Sequence, residues 1–130
     1  MASILRENTL TDASSNNSVP MATVSSGSAK AWVQLNGTGT IAARDSFNHS
    51  SLTDGGVGRY KNTISSAMVN DDYVVHATGD IGTVGDFAVA CTNDSTTART
   101  TTAAEMRIGT TGGASADTDI AAMSFFGDLA

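Results

Sequence analysis

The sequence predicts an all-β fold, an antiparallel β-sandwich of about seven or eight short strands. Serine and threonine are abundant, glycine occurs 13 times and proline once, a composition that disfavours helix and suits strands joined by turns. Apolar residues recur with a period of two in short runs, without the helical period of about 3.6 residues. The chain of 130 residues is long enough for one domain and a tail.

Charge and hydropathy exclude two classes of partner. The net charge is -6, only 15% of the residues are charged, and lysine and arginine form no cluster. The basic surface that nucleic-acid binding requires is therefore missing. No apolar run approaches the ~18 residues of a membrane-spanning helix, and the N-terminus does not have the pattern of a secretory signal. We expect neither nucleic acid nor membrane as a partner.

Residues 1–28 differ in composition from residues 29–130. The first segment is small and polar, and such a segment cannot bury enough apolar surface to fold alone. We expect an extended N-terminal docking arm over 1–28 and a β-sandwich domain over 29–130. The arm would dock onto a larger assembly; the alternative is that it packs on its own domain or on a symmetry mate.

The first strands follow from alternation and glycine turns. Ala29–Leu35 alternates and is predicted to form a strand, and Thr40–Arg44 is its short partner. Asn36 and Gly37 between them form a dipeptide typical of tight hairpins, which predicts positive φ at Gly37. The next strand has Tyr60, Asn62 and Ile64 on one face.

The remaining strands are predicted over Tyr73–Thr78, Phe87–Thr92, Glu105–Thr110 and Ile120–Phe126. A polar loop over Asn93–Thr102 is long enough to form an exposed tip. The expected core is Trp32, Ile41, Phe47, Tyr60, Ile64, Tyr73, Val75, Phe87, Val89, Met106, Ile108 and Phe125.

Aromatic residues are only 5% of the chain, so the core is thin and subunit association would supplement it. The last two strands hold more apolar residues than one face needs, and adjacent phenylalanines must point to opposite faces. The sequence therefore predicts subunit contacts at Ile108, Ile120, Met123, Phe125 and Phe126.

The segment AKAWVQLNGTGTIAARDSFNHSSLTDGGVGRY, residues 29–60, resembles the C-terminal β-sandwich domain of virion fibre and decoration proteins of tailed phages, many of them marine. Those domains carry AWVxFNGTGT, then a short strand leading to SxTDxGxGxY, and end in FGD, which is present here as Phe126-Gly127-Asp128. The likeness covers roughly residues 29–128. Its matched turn positions include Asn36, Gly37, Gly39, Asp54, Gly56 and Gly58.

The resemblance implies a non-enzymatic structural protein of the virion that forms a homotrimer. A tail fibre with a shaft needs a long extended repeat, and this chain has none. We therefore expect a capsid decoration (cement) protein or short head fibre, held on the major capsid protein or another virion protein by its arm. The alternative is a tail-fibre or tail-tip module that contacts a host surface glycan or protein. For that role the candidate receptor loop contains Asn93, Asp94 and Arg99.

Two patterns are formally compatible with enzymes. Residues 37–42, GTGTIA, fit a loose dinucleotide fingerprint, but the helix that would face the phosphates is not predicted to follow. His49 and His76 lie among many serines and aspartates, yet no nucleophile elbow accompanies them. We expect no enzyme, no catalytic residue and no cofactor.

Other reactive residues have ordinary interpretations. Cys91 has apolar neighbours, and we expect a structural residue of a strand. Asp71-Asp72, and Asp117 with Asp119, can be drawn as calcium ligands or as an acid pair, but solvated turn carboxylates account for them better. We expect no bound metal.

Overall fold

Two four-stranded antiparallel sheets pack face to face and confirm the predicted all-β sandwich. The computed structural model describes residues 8–80, 89–92 and 98–130. In chain order the elements are β1 (Thr9–Thr11), β2 (Ser18–Pro20), α1 (Met21–Gly27), β3 (Ala31–Asn36), β4 (Ala42–Phe47), β5 (His49–Asp54), β6 (Arg59–Ile64), β7 (Val74–Asp80), β8 (Val89–Thr92), β9 (Ala103–Gly109) and β10 (Ile120–Phe126). Sheet 1 has the strand order β4-β3-β10-β7, and sheet 2 has the order β5-β6-β9-β8.

The core lies between the two sheets and follows the alternation of the sequence. On β3 the side chains of Ala31, Val33 and Leu35 are buried, as are Met123 and Phe125 on the neighbouring β10. Successive side chains of a strand point to opposite faces, so each of these two strands contributes one row of side chains to the core. The other large buried side chains are Tyr60, Ile64, Met68, Tyr73, Met106 and Ile108.

Two members of the expected core lie elsewhere. Trp32 and Phe47 are opposite each other on the outer face of sheet 1, where Trp32 is half-buried and Phe47 is 54% exposed. Side chains alternate between the two faces of a strand, and Ala31, Val33 and Leu35 of β3 point into the core, so Trp32 must point outward. Phe47 is paired with Trp32 and therefore lies on the same outer face. The expectation that both residues fill the core is therefore wrong. The side chains of Phe87 and Val89 lie outside the described residues.

A single residue, Asn48, takes the chain from sheet 1 to sheet 2. It separates β4 from β5 and has a positive φ of 51°, a conformation that asparagine tolerates better than most residues. Its amide donates to the backbone oxygens of Lys30 and Ser66, at 3.0 and 3.3 Å, and its Oδ1 accepts from the Ser66 amide at 2.7 Å. These hydrogen bonds fix the connection between β4 and β5, so the polar side chain of Asn48 has a structural function.

Residues 8–28 are folded, and the expectation of a wholly extended arm is corrected. β1 and β2 form an antiparallel hairpin, and α1 begins directly after Pro20. The hairpin turn is held by Asp12, whose carboxylate accepts from the Asn16 amide at 3.0 Å and from Asn17 Nδ2 at 2.7 Å. The hairpin and helix bury almost none of their own side chains.

Candidate functional surfaces

The two outer faces of the sandwich differ in chemistry. The outer face of sheet 1 carries large apolar and aromatic side chains among uncharged polar ones, with carboxylates only on its edge strands; the large side chains are Trp32, Phe47, Val74, Ile120 and Phe126. The outer face of sheet 2 carries the charged residues Arg59, Lys61, Glu105 and Arg107. Each surface therefore favours a different class of contact.

A groove of about 480 Å³ runs along the outer face of sheet 1. Across β3, β10 and β7 one row of opposed residues is Trp32, Ser124 and His76, and the next row is Gln34, Ala122 and Thr78. The central strand supplies a small residue in both rows, and its neighbours supply larger ones. This large-small-large pattern creates the floor and walls of the groove.

The charges on sheet 2 are largely satisfied within the protein. The Arg59 guanidinium contacts Glu105 Oε1 at 2.8 Å through Nη2 and at 3.0 Å through Nε. Glu105 is only 5% exposed, so this ion pair is partly desolvated. Arg107 donates from Nε to Ser115 Oγ at 3.0 Å. A ligand that used these groups would have to displace existing partners.

Two of the predicted turn residues, Gly37 and Gly58, meet at one end of the sandwich. The hydroxyl of buried Tyr60 contacts Asp117 Oδ1 at 3.2 Å and the Gly37 carbonyl at 3.3 Å, and it accepts from the Thr118 amide at 3.1 Å. Asp117 also accepts from the Gly58 amide at 2.7 Å. Burial raises the pKa of Tyr60 to about 12, opposed by the Thr118 amide and reinforced by the Asp117 carboxylate.

The physical role of the turn glycines is partly corrected. Positive φ occurs at Gly39 (67°), Gly56 (105°) and Gly58 (67°), and Gly37 is not among these residues. Gly37 is required instead by close approach, because a Cβ there would lie 2.2 Å from Tyr60 Cζ. The Asn36 side chain caps this turn by binding the backbone and the hydroxyl of Thr38.

In the second turn, Asp54 Oδ1 accepts from the Gly56 amide at 2.8 Å. The Asp54 carboxylate and the positive φ of Gly56 and Gly58 shape the connection from β5 to β6. All six predicted turn residues therefore lie in or beside turns. Their contacts are with the fold itself.

The predicted trimer contacts separate into two groups. Ile108, Met123 and Phe125 are buried between the sheets, so the prediction that they contact another subunit is wrong. Ile120 is 39% exposed and Phe126 is half-buried, and both point outward at opposite ends of β10. The two adjacent phenylalanines thus divide between core and surface, as strand geometry requires.

The predicted receptor loop is described only at its end. Asn93 and Asp94 lie outside the described residues. Arg99 donates from Nη1 to the Tyr73 carbonyl, and its guanidinium carbon lies 5.2 Å from the centre of the Tyr73 ring. This arginine therefore has partners within the fold, including a cation-π contact.

The histidines and aspartates also have structural surroundings. His49 Nδ1 lies 2.6 Å from Asn62 Oδ1, and the His76 ring lies 5.4 Å from that of Phe126. Asp117 accepts the hydrogen bonds described above. Within residues 8–80, 89–92 and 98–130, no three His, Cys, Asp or Glu side chains are placed to hold a metal ion. The side chain of Cys91 is not among those described.

Sequence reasoning missed the groove. Its only signal was Trp32, whose parity opposes that of its buried neighbours on β3. The small residues Ala122 and Ser124 became meaningful only when the register placed them between Trp32 and His76.

No protein-family model matches the sequence, and neither a curated protein nor a solved structure matches it. The described part of the chain has no helix long and apolar enough to cross a membrane.

Proposed function

We propose that this protein is a non-enzymatic structural protein of a phage virion, a capsid decoration protein or short head fibre held by residues 1–28. The observation that carries the proposal is that residues 8–28, the described part of this arm, are folded but have no buried side chain. Leu10 and Val19 are opposite each other on its hairpin and remain 44% and 41% exposed, and Val24 of α1 is 39% exposed. These apolar side chains are available to a partner surface.

Energetics favour such a partner. A two-stranded hairpin is marginal in water, and ordering each residue costs about 1–2 kcal/mol. Covering the exposed apolar side chains would return about 25 cal/mol per Å² of area buried. In this proposal the major capsid protein or another virion protein supplies that cover, and the sandwich projects outward.

The test is the binding of purified protein to phage particles that lack it. Deleting residues 1–28 should leave a folded sandwich that no longer binds. The double substitution Leu10→Ser and Val19→Ser should weaken binding, whereas Thr11→Ala with Ser18→Ala changes a neighbouring polar pair of the same hairpin and should not. Full occupancy by the truncated protein would show that the arm is not the anchor.

We further propose a homotrimer, supported by the outward-facing apolar side chains at the two ends of β10, the exposed Ile120 and the half-buried Phe126. Light scattering should give the mass of three chains. A stable monomer at micromolar concentration would overturn this part of the proposal.

The second candidate is a tail-fibre or tail-tip module that contacts the host surface, and the groove on sheet 1 favours it. Copy number per virion distinguishes the two. A capsid lattice offers many equivalent sites, whereas a tail offers few.

A further inference from the structure

We infer that the groove on the outer face of sheet 1 binds a neutral saccharide, with Trp32 as the stacking surface. This inference does not depend on the proposed structural role, because it concerns only the sandwich. It rests on the shape of the groove, the chemistry of its walls and the state of its polar groups.

Shape comes first. The floor is Ala122 and Ser124 on the central strand, and the walls are Trp32 and Gln34 on one side and His76 and Thr78 on the other. Strands lie about 4.8 Å apart, so the two wall strands are about 10 Å apart. The volume of about 480 Å³ is within the range of small-molecule sites. An elongated ligand can therefore lie along the strands between the walls.

The walls combine an aromatic ring with uncharged polar groups. Trp32 is half-buried, so part of its indole remains available, and the C–H face of a pyranose ring is the natural partner of such an apolar surface. The amide of Gln34, the hydroxyls of Thr78 and Ser124 and the imidazole of His76 supply both donors and acceptors. Sugar hydroxyls need both.

These polar groups are free. Within the described residues, the side chains of Gln34, Thr78 and Ser124 make no hydrogen bond to the protein. The charged residues on sheet 2 are different, because Arg59 and Glu105 already bind each other. A ligand in the groove gains hydrogen bonds without breaking internal ones.

Charge selects a neutral ligand. No wall residue carries a fixed charge, and two carboxylates flank the groove, because Asp45 is opposite Gln34 and Asp80 follows Thr78 by two positions on β7. Together with the net charge of -6, these carboxylates disfavour anionic sugars and other anions. The exposed Asp45 carboxylate can also accept a hydrogen bond from a sugar hydroxyl at the rim.

Trp32 gives a direct assay because it is the single tryptophan of the chain. Full-length protein is titrated with maltotriose, cellotriose, mannotriose, chitotriose and lactose, and with sialyllactose as an anionic comparison. We expect a saturable change of tryptophan fluorescence with at least one neutral sugar, with a dissociation constant of about 10 mM or lower. Binding by calorimetry should confirm the affinity.

Two variants locate the site. Ser124→Leu fills the floor of the groove and should weaken binding at least about tenfold, and Gln34→Ala, at an exposed position, should weaken it about threefold. Thr63→Leu places the same residue on the outer face of sheet 2 and should leave affinity unchanged. Melting curves verify that each variant is folded.

The contrary outcomes are distinct. Absence of saturable binding by every neutral sugar overturns the inference, as does equal affinity of the Ser124→Leu and Thr63→Leu proteins. Binding of sialyllactose alone overturns the neutral class. If Ser124→Leu instead dissociates an oligomer of the wild-type protein, a second copy occupies the groove, and the saccharide assignment is wrong.

Discussion

Substituting Gly37 tests the close contact between the turn after β3 and the ring of Tyr60. An alanine Cβ at this position would lie 2.2 Å from Tyr60 Cζ, 2.3 Å from its hydroxyl oxygen and 2.6 Å from Cε1. Carbon atoms in van der Waals contact are about 3.5–4.0 Å apart, so the ring or the turn must move by more than about 1 Å. Tyr60 is fully buried, and its hydroxyl is held by Asp117 and Thr118, so such a movement breaks interactions.

The expected cost has two parts. Overpacking a filled site costs about 1–3 kcal/mol. Pulling the tyrosine hydroxyl away leaves buried polar groups unpaired, which costs about another 1–3 kcal/mol. We expect Gly37→Ala to lower the free energy of unfolding by about 4 kcal/mol in total. That is a large share of the about 5–15 kcal/mol that stabilises a typical domain.

Gly39 supplies the matched control in the same turn. Its φ is 67°, and a Cβ there would meet nothing within 4 Å, so Gly39→Ala should cost only about 1 kcal/mol of backbone strain. Urea unfolding of both variants, with unchanged slope, measures the difference. A Gly37→Ala protein as stable as wild type, or more stable than Gly39→Ala, would refute the close-approach argument. In a Tyr60→Leu background the ring is gone, and Gly37→Ala should cost much less.

Two further changes test the interior. Burial raises the pKa of Tyr60 and of Tyr73 from 10.0 to about 12, the latter opposed by the Arg99 charge, so the folded protein retains protons that the unfolded chain loses. The contribution of these two tyrosines to stability should therefore be constant below about pH 10 and fall between about pH 10 and 12, by about 1.4 kcal/mol per pH unit for each tyrosine. Tyr73→Phe should about halve the slope of unfolding free energy against pH in that range. Asn62 is fully buried, and its Nδ2 has no hydrogen-bond partner. Asn62→Leu removes this unpaired group and should raise the free energy of unfolding by about 1 kcal/mol, measured by thermal melts. The substitution also removes the contact with His49 Nδ1, but His49 is half-buried and can bind water instead. A loss of stability in Asn62→Leu would show that the contact with His49 outweighs the unpaired amide.

Alternation in the sequence predicted the fold because the core is built from it. The inward residues Met106 and Ile108 of β9, and the division of Phe125 and Phe126 on β10, were predictable from a period of two. The core prediction was wrong where the size and type of a residue were given more weight than its position in the alternating pattern. Trp32 and Phe47 were assigned to the core because they are large and aromatic, although parity placed Trp32 outside.

Features that depend on pairing between distant strands were beyond the sequence. The contact of Gly37 with Tyr60 joins residues 23 positions apart, and Asp117 reaches the same hydroxyl from the far end of the chain. The groove requires the register of three strands that are not consecutive in sequence. Composition also hid the fold of the arm, since a polar segment with few apolar residues favours disorder unless a partner covers it.

The difference between the two outer faces determines where the sandwich can gain from binding. A partner on sheet 2 must compete with the Arg59–Glu105 pair, whose carboxylate is already desolvated, and breaking such a pair leaves a buried charge without its partner. A partner on sheet 1 meets Trp32, Phe47 and uncharged polar groups, so its binding removes apolar area from water. It also breaks no internal hydrogen bond of the hydroxyls and the amide that line the groove. Sheet 1 is therefore the face on which a ligand binds at the lower cost. If the arm holds a virion protein, as proposed, the protein can engage two surfaces at once.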